Sequence, residues 1–151
     1  MKFVTICEYY ELHRPGYKDV YIIMKAIMKR LGCKKTSNTV LSPEYIFYNE
    51  KKQVVKFTVA NRYNVSEQEG MRVILDYMKG ISVYSGENVR KLIKEVECMY
   101  RDYGPHITYE QLEKEDRKRK RSFVFFGAFI IVVTGILILY YTKVQPFVFY
   151  S

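Results

Sequence analysis

Histidine and cysteine are the side chains in this sequence best suited to nucleophilic catalysis or metal binding. The chain has two histidines, His13 and His106, and three cysteines, Cys7, Cys33 and Cys98. A zinc site needs about four such ligands at short, regular spacings, but the cysteines lie far apart and form no CxxC pair. Separated cysteines in odd number are typical of reduced thiols that pack as small hydrophobic side chains. We therefore predict no metal and no cofactor.

The segment around His106 is the nearest approach to a catalytic motif. Residues 105–109, PHITY, contain one His-x-Thr element, whereas the phosphoesterase mechanism that uses this element needs two copies. The other histidine lies in ELHRPG, which supplies no second copy. The sequence also has no glycine-rich phosphate loop and no nucleophile elbow. The pattern predicts that the protein is not an enzyme.

Positive charge is concentrated in one short segment. The formal net charge is +9, and a continuous basic run precedes the C-terminal apolar segment: Arg117, Lys118, Arg119, Lys120 and Arg121. Nucleic-acid-binding domains combine a basic stripe with a recognisable reading module, and this sequence has no such module. The basic run is better suited to anionic lipid headgroups. We predict a lipid bilayer, and not a nucleic acid, as its partner.

Residues 123–141 form an uncharged, mostly apolar run directly after the basic segment. As an α-helix this run is roughly 28 Å long at about 1.5 Å per residue, close to the ~30 Å hydrocarbon core of a bilayer. A chain of 151 residues offers too little interior to bury a helix that is apolar on all sides. Tyr140 and Tyr141 lie at one end, where amphipathic rings prefer the headgroup region. We predict a transmembrane helix over residues 122–142.

The charges on the two sides of this helix predict its orientation. The basic run precedes the helix and only Lys143 follows it, so the positive-inside rule keeps the N-terminal part in the cytosol. The sequence then divides into a cytosolic domain (1–104), a polybasic linker (105–121), the transmembrane helix (122–142) and a short lumenal or intermembrane tail (143–151). A span so late in the sequence predicts a tail anchor that is inserted after synthesis.

Three amphipathic helices are predicted in the N-terminal domain. Each has apolar residues at intervals of three and four, followed by a glycine stop. The helices cover residues 19–31, 66–79 and 87–103, and the second opens with Ser66 and Glu69 at capping-box spacing. Because each helix has only one apolar face, the three are expected to pack on one another.

Two further segments fit either secondary structure. Residues 3–12 have apolar residues at helical spacing but also a β-branched, strand-like beginning. Residues 44–62 fit a hairpin that turns at residues 49–52, and they equally fit a helix started by Ser42 and Pro43. If both segments are helices, the domain is a bundle of helical hairpins. If both are strands, it is an α+β domain reminiscent of a ferredoxin-like half.

The segments DVYIIMKAIMKRL, ANRYNVSEQEGMRVILD and LIKEVECMYRDYG resemble helices of the mitochondrial fission 1 protein family. Members of this family are small tail-anchored proteins with a tetratricopeptide-like helical head. The resemblance implies an all-α fold of tetratricopeptide-like helical hairpins plus one C-terminal transmembrane helix, with the α+β ferredoxin-like head as the alternative. It also implies an adaptor on the mitochondrial outer membrane that recruits a dynamin-like GTPase or the adaptor of that GTPase. The alternative function is a structural subunit of a membrane protein complex with an α+β cytosolic head.

In the fission 1 family a concave helical groove receives the partner. By resemblance, the candidate partner-binding residues of this chain are Tyr9, Lys52, Lys56 and Tyr63. The chain departs from the family pattern at Gly70, which lies inside a predicted helix, where glycine costs about 1 kcal/mol relative to alanine. The resemblance favours the mitochondrial outer membrane. The apolar span, with Lys143 alone beyond it, keeps the endoplasmic reticulum as the alternative address.

Overall fold

The fold was determined as a computed structural model that describes residues 2–33, 38–62 and 64–149. The chain is mostly helical, as predicted. It divides into a head unit, residues 1–111, and a tail unit, residues 112–151. The elements in chain order are β1 (Val4–Thr5), α1 (Ile6–Leu12), α2 (Tyr17–Gly32), β2 (Ile46–Asn49), β3 (Val54–Phe57), α3 (Glu67–Ile81) and α4 (Glu87–Phe149).

The three helices predicted for the N-terminal domain are present as α2, α3 and the first part of α4. The predicted start of α3 is also confirmed, because the Ser66 side chain accepts a hydrogen bond from the Glu69 backbone N–H at 3.2 Å. Each helix buries the apolar face expected from its periodicity. The buried residues of these faces include Val20, Ile23, Met24, Ile27, Met71, Ile74, Leu75, Met78, Val89, Leu92, Ile93 and Val96.

Helix α4 is interrupted at Gly104. The backbone there has φ 82° and ψ 178°, which is not helical, and a positive φ of this size favours glycine because a Cβ would clash with the backbone. We call the segment before the break, residues 87–103, α4N. The sequence predicted this end from the pair Gly104 and Pro105.

A three-stranded antiparallel sheet with strand order β1-β2-β3 replaces the expected helical hairpin. Residues 46–57 form the β2–β3 hairpin, with Ile46 opposite Phe57 and Asn49 opposite Val54. The prediction of an all-α domain is therefore wrong for this segment, and the alternative hairpin interpretation is confirmed. Tetratricopeptide-like repeats are not confirmed by this fold.

The hairpin turn explains why the absence of glycine misled the sequence argument. Gln53 takes the left-handed conformation that glycine usually supplies, with φ 53°. The Asn49 side chain accepts a hydrogen bond from the Lys52 backbone N–H at 3.0 Å and so holds the preceding residues in a turn. Asn49 is itself buried. An asparagine thus closes a turn that contains no glycine.

The other ambiguous segment, residues 3–12, contains both structures. Val4 pairs with Tyr48 in the sheet, and α1 begins immediately afterwards. Thr5 caps α1: its hydroxyl accepts from the Glu8 backbone N–H at 3.2 Å, and the Glu8 carboxylate accepts from the Thr5 backbone N–H at 3.0 Å. This reciprocal capping box fixes the point at which strand changes to helix.

Gly70 is required by packing. A Cβ placed on Gly70 would lie 2.7 Å from the Leu41 Cβ, and Leu41 is buried. Glycine lowers the helix propensity at this position, but its lack of a Cβ allows α3 to pack closely against the segment before β2. A residue larger than glycine at this position would require Leu41 or the helix to shift.

Candidate functional site

The tail unit contains the apolar segment that the sequence predicts to cross a membrane. Among the described residues, α4 is the one helix long and apolar enough to do so, with a mean hydropathy of 2.7 in a window of which none is buried. Phe123 is 77% exposed and Ile131 74%. Thr134 donates a hydrogen bond to the Ile130 carbonyl at 2.8 Å, so this hydroxyl is satisfied inside the helix. A threonine bonded in this way presents no unpaired hydroxyl to hydrocarbon.

The predicted membrane-flanking residues lie at the two ends of this apolar segment. The basic run, residues 117–121, is solvent-exposed throughout. Acidic groups one helical turn earlier contact two of its members: Arg117 Nε lies 3.8 Å from Glu113, and Lys120 Nζ lies 3.2 Å from Asp116. Exposed pairs of this type are weak, so the run keeps its attraction for an anionic surface. Lys143 lies on the same helix beyond the apolar segment.

A groove opens on the surface of the head unit between α3 and α4N. It has a volume of about 590 Å³. Buried apolar side chains form its floor and charged side chains of both signs form its rim. The lining residues that matter below are Glu67, Met71, Arg72, Leu75, Tyr100 and Arg101. We call this the α3–α4 groove.

The α3–α4 groove is partly desolvated. Burial raises the pKa of Tyr100 to about 12, and the negative charge of Glu67 adds to the rise. Burial also raises the pKa of the Glu67 carboxyl above its ordinary value. Arg72 contacts Glu69 on the same helix, and both side chains are largely exposed. The groove therefore combines a dry floor with a charged rim, which is the composition of many protein-binding sites.

A second, smaller cavity of about 380 Å³ continues along the same two helices toward the turn that joins them. Its cations are Lys79, Arg90 and Lys94. Glu97 borders both cavities and forms an ion pair with Lys79 across the helices at 2.6 Å. The two cavities thus meet at this ion pair.

A tyrosine–aspartate cluster joins α1, α2 and β2 in another part of the head unit. The Tyr9 and Tyr48 hydroxyls each donate a hydrogen bond to the Asp19 carboxylate at 3.0 Å. Burial first, and the Asp19 charge second, raise the pKa of the Tyr48 hydroxyl well above its usual range. His13 stacks on Tyr9, with ring centroids 4.4 Å apart. These charge-assisted hydrogen bonds fix the first helices against the sheet.

Three of the four candidate partner-binding residues lie in the described part of the chain, and they belong to different elements. Tyr9 is only 4% exposed and lies in the tyrosine–aspartate cluster, so it holds the head together instead of facing a partner. Lys52 lies exposed in the hairpin turn. Lys56 is exposed on β3, where its Nζ lies 4.3 Å from the centre of the Phe3 ring. Tyr63 lies outside the described residues. The segment around Lys52 and Lys56 is a hairpin, so these two residues do not lie on a helix.

Sequence reasoning missed the residues that line the α3–α4 groove. Its floor, Met71 and Leu75, was predicted as part of the core stripe of α3. The helical periodicity shows which face is apolar, but it does not show that the neighbouring helix leaves part of that face uncovered. The charged residues beside the apolar stripe, Arg72 and Asp76, were a signal in the sequence that could have indicated this groove.

The groups considered for catalysis lie apart. His106 is on the surface of the helix after Gly104, 3.3 Å from Glu110, and His13 belongs to the tyrosine–aspartate cluster. In the described part of the chain, no group of three or more histidine, cysteine or acidic side chains is placed to hold a metal ion. Burial raises the pKa of the Cys7 thiol, which makes it less reactive.

Comparisons of the chain with known protein families, with characterised proteins and with solved structures found no match.

Proposed function

We propose that this chain is a single-pass membrane protein whose head unit acts in the cytosol as an adaptor for another protein. The observation that carries the proposal is the apolar segment of the tail unit, which exposes its side chains along its whole length. Burying an apolar side chain is worth about 1.5–3 kcal/mol. A helix that exposes so many of them is stable in lipid and not in water.

The basic run supports a cytosolic head. Residues 117–121 precede the apolar segment and Lys143 follows it, and the larger number of positive charges stays on the cytosolic side. In this orientation the run also faces the leaflet that is rich in anionic lipids.

The α3–α4 groove is the surface that we assign to the protein partner. Its floor is apolar and its rim carries both signs of charge, including Arg72, Arg101 and Glu67. A groove between two helices accepts an amphipathic helix whose apolar residues recur at intervals of three and four. We therefore propose an amphipathic helical segment of the partner as the occupant, with binding and no catalytic step.

A finer version of the proposal follows from the resemblance to the fission 1 family. In that version the protein is tail-anchored in the mitochondrial outer membrane and recruits a dynamin-like GTPase or its adaptor. The endoplasmic reticulum is the alternative membrane. A fluorescent fusion at the N-terminus, imaged against markers of both organelles, tests the address.

Two measurements test the main proposal. The full-length chain should remain in the membrane pellet after alkaline carbonate extraction, and protease added outside intact organelles should remove the head unit. A chain found in the supernatant, or a head unit protected from protease, would contradict the proposal.

Charge reversal in the α3–α4 groove tests the assigned partner surface. Arg72→Glu combined with Arg101→Glu should reduce the amount of partner that co-purifies with the full chain, without loss of helical content. Arg14→Glu, which changes an exposed cation outside the groove, is the matched control. Equal co-purification of wild type and groove variant would remove the groove from the proposal.

A second candidate function is favoured by the sheet. A head that combines β1-β2-β3 with helices fits the alternative of a structural subunit in a membrane complex with an α+β head. This version expects the chain to co-purify at fixed stoichiometry and to lose its fold when separated. An adaptor instead exchanges its partner and keeps its fold alone.

A further inference from the structure

The turn between α3 and α4N presents two apolar side chains to solvent. Tyr84 is 94% exposed and Val83 is 54% exposed. The turn backbone is held firmly: the Ser82 hydroxyl donates to the Lys79 carbonyl at 3.1 Å, and the Ser85 N–H donates to the Ser82 carbonyl at 3.0 Å. Since Ser82 is buried, the turn is anchored at its base. The backbone that carries Val83 and Tyr84 is therefore held in place by these hydrogen bonds.

Cations lie beside Val83, the neighbour of Tyr84 in the turn. Arg90 and Lys94 are one helical turn apart on α4N and line the smaller cavity with Val83 and Lys79. Neither Arg90 nor Lys94 forms an ion pair with any residue that the structure describes. We call Val83, Tyr84, Arg90 and Lys94 the turn patch.

Acidic groups near the turn patch do not cancel its charge. Glu97 is paired with Lys79 at 2.6 Å. Glu87 lies three residues before Arg90 and four before Lys91 on α4N, and in the described part of the chain it forms no ion pair with either. Two cations, Arg90 and Lys94, thus remain available for an anionic partner.

We propose that the turn patch docks the head unit onto the anionic surface of the membrane that holds the tail unit. Tyr84 enters the headgroup region, while Arg90 and Lys94 contact lipid phosphates. Tyrosine is enriched at this depth because its ring is apolar and its hydroxyl is polar. Each cation near an anionic leaflet contributes attraction that salt weakens. This inference rests on the membrane anchoring proposed above.

The bilayer is favoured as the occupant because the turn patch is cationic and the same chain carries the segment that we propose to span a membrane. The helical connection from Gly104 to the apolar segment is roughly 27 Å long at about 1.5 Å per residue, so the tether between the head unit and the proposed membrane span is short. Anchoring in the same membrane raises the effective concentration of the turn patch at the lipid surface, so contacts that are weak individually contribute to docking.

The experiment uses the absence of tryptophan from the chain. Tyr84→Trp gives the full-length protein a single tryptophan in the turn patch. The protein is inserted into phosphatidylcholine vesicles with or without phosphatidylserine, and vesicle flotation first measures anchoring. We expect blue-shifted emission and quenching by brominated lipid in the phosphatidylserine vesicles, and both should weaken at high salt. Tyr45→Trp, a half-exposed site before β2, should show neither change.

A charge-reversal variant measures the contribution of the two cations to docking separately from that of the aromatic ring at position 84. Arg90→Glu with Lys94→Glu, added to Tyr84→Trp, should lower the ratio of docked to undocked head at least about tenfold. Lys51→Glu with Lys52→Glu, two exposed lysines of the hairpin turn, should leave the quenching unchanged. Circular dichroism checks that each variant keeps its helical content.

The outcomes distinguish the two proposals. A Tyr84→Trp chain that does not float with vesicles overturns the membrane anchoring and the docking with it. A chain that floats but whose tryptophan emission stays that of a solvent-exposed indole on phosphatidylserine vesicles overturns the docking alone. Shielding of the introduced tryptophan from acrylamide only after a cytosolic protein fraction is added also overturns it, because the turn patch would then be a protein contact.

Discussion

The head unit and the tail unit use similar apolar residues in opposite ways. In the head, Ile23 and Met24 have no exposed surface, whereas in the tail Phe123 and Ile131 are about three-quarters exposed. In the head, apolar residues alternate with polar ones at helical spacing, so one face can be buried against other elements. The apolar segment of the tail unit has no polar face. The tail unit thus contains a candidate membrane-spanning helix, whereas the head unit has amphipathic helices that bury one face.

Charging the centre of the tail should have the largest effect. Ile131→Arg with Ile136→Arg places two charges in the apolar segment, each at a cost of about 2.5–3.5 kcal/mol. We expect the full-length chain to leave the membrane pellet for the supernatant after carbonate extraction. Leu12→Arg with Val59→Arg, at two exposed apolar positions of the head, is the matched control and should leave extraction unchanged. If the doubly charged variant stays in the pellet, the apolar segment is not what holds the chain in the membrane.

Removing the carboxylate of the tyrosine–aspartate cluster should have the next largest effect. Asp19→Ala leaves the Tyr9 and Tyr48 hydroxyls without their acceptor. A hydrogen bond to a charged group contributes about 1.5–3 kcal/mol, and both bonds are only part-buried, so we expect a loss of about 3 kcal/mol in the free energy of unfolding. Urea denaturation in detergent, followed by the near-ultraviolet tyrosine signal, measures it.

Asp76→Ala is the control for this carboxylate. Asp76 is exposed on α3, and its replacement should change the free energy of unfolding by about 0.5 kcal/mol or less. Equal effects of the two variants would show that the cluster does not stabilise the head.

Two glycines of α3 test how tightly the head is packed. Gly70→Ala should destabilise the head, because its Cβ would lie 2.7 Å from the Leu41 Cβ. Overpacking of this kind costs about 1–3 kcal/mol, more than the ~1 kcal/mol gained in helix propensity. Gly80→Ala meets no atom within 4 Å and should stabilise the helix by up to about 1 kcal/mol. Thermal unfolding of the two variants should therefore shift in opposite directions, and shifts of the same sign would contradict the close approach.

The features that sequence reasoning predicted are local, and those it missed depend on distant residues. The stripes of α2, α3 and α4N, the Ser66 cap and the apolar tail each follow from residues within one or two helical turns. The hairpin was left ambiguous because its left-handed residue is Gln53 and not glycine. The bond from Tyr48 to Asp19 joins residues 29 positions apart, and nothing in either segment indicates the other. The α3–α4 groove depends on the spacing of two helices, which hydropathy does not encode.

The smallest predicted effect concerns Glu67 in the α3–α4 groove. Burial raises its folded pKa above the ordinary value of 4.5, so the folded head holds this proton more tightly than the unfolded chain does. The resulting stability is fully present below the unfolded pKa and is lost as the pH rises through the folded pKa. Wild type should therefore lose stability relative to Glu67→Gln across this window, by about 0.5 kcal/mol or less because the side chain is only half-buried.

The opposite sign is physically possible, which makes the measurement informative. Glu67 lies in the first turn of α3, where the helix dipole favours a negative charge and would lower the pKa. If the Gln variant loses stability relative to wild type as the pH rises, the dipole outweighs desolvation and the groove is wetter than its geometry indicates. Gln68 lies beside it in the groove rim and does not titrate, so Gln68→Ala controls for packing changes without adding a pH dependence. If the groove is desolvated, the stability of Glu67→Gln relative to wild type rises with pH. The stability of Gln68→Ala relative to wild type then does not change with pH.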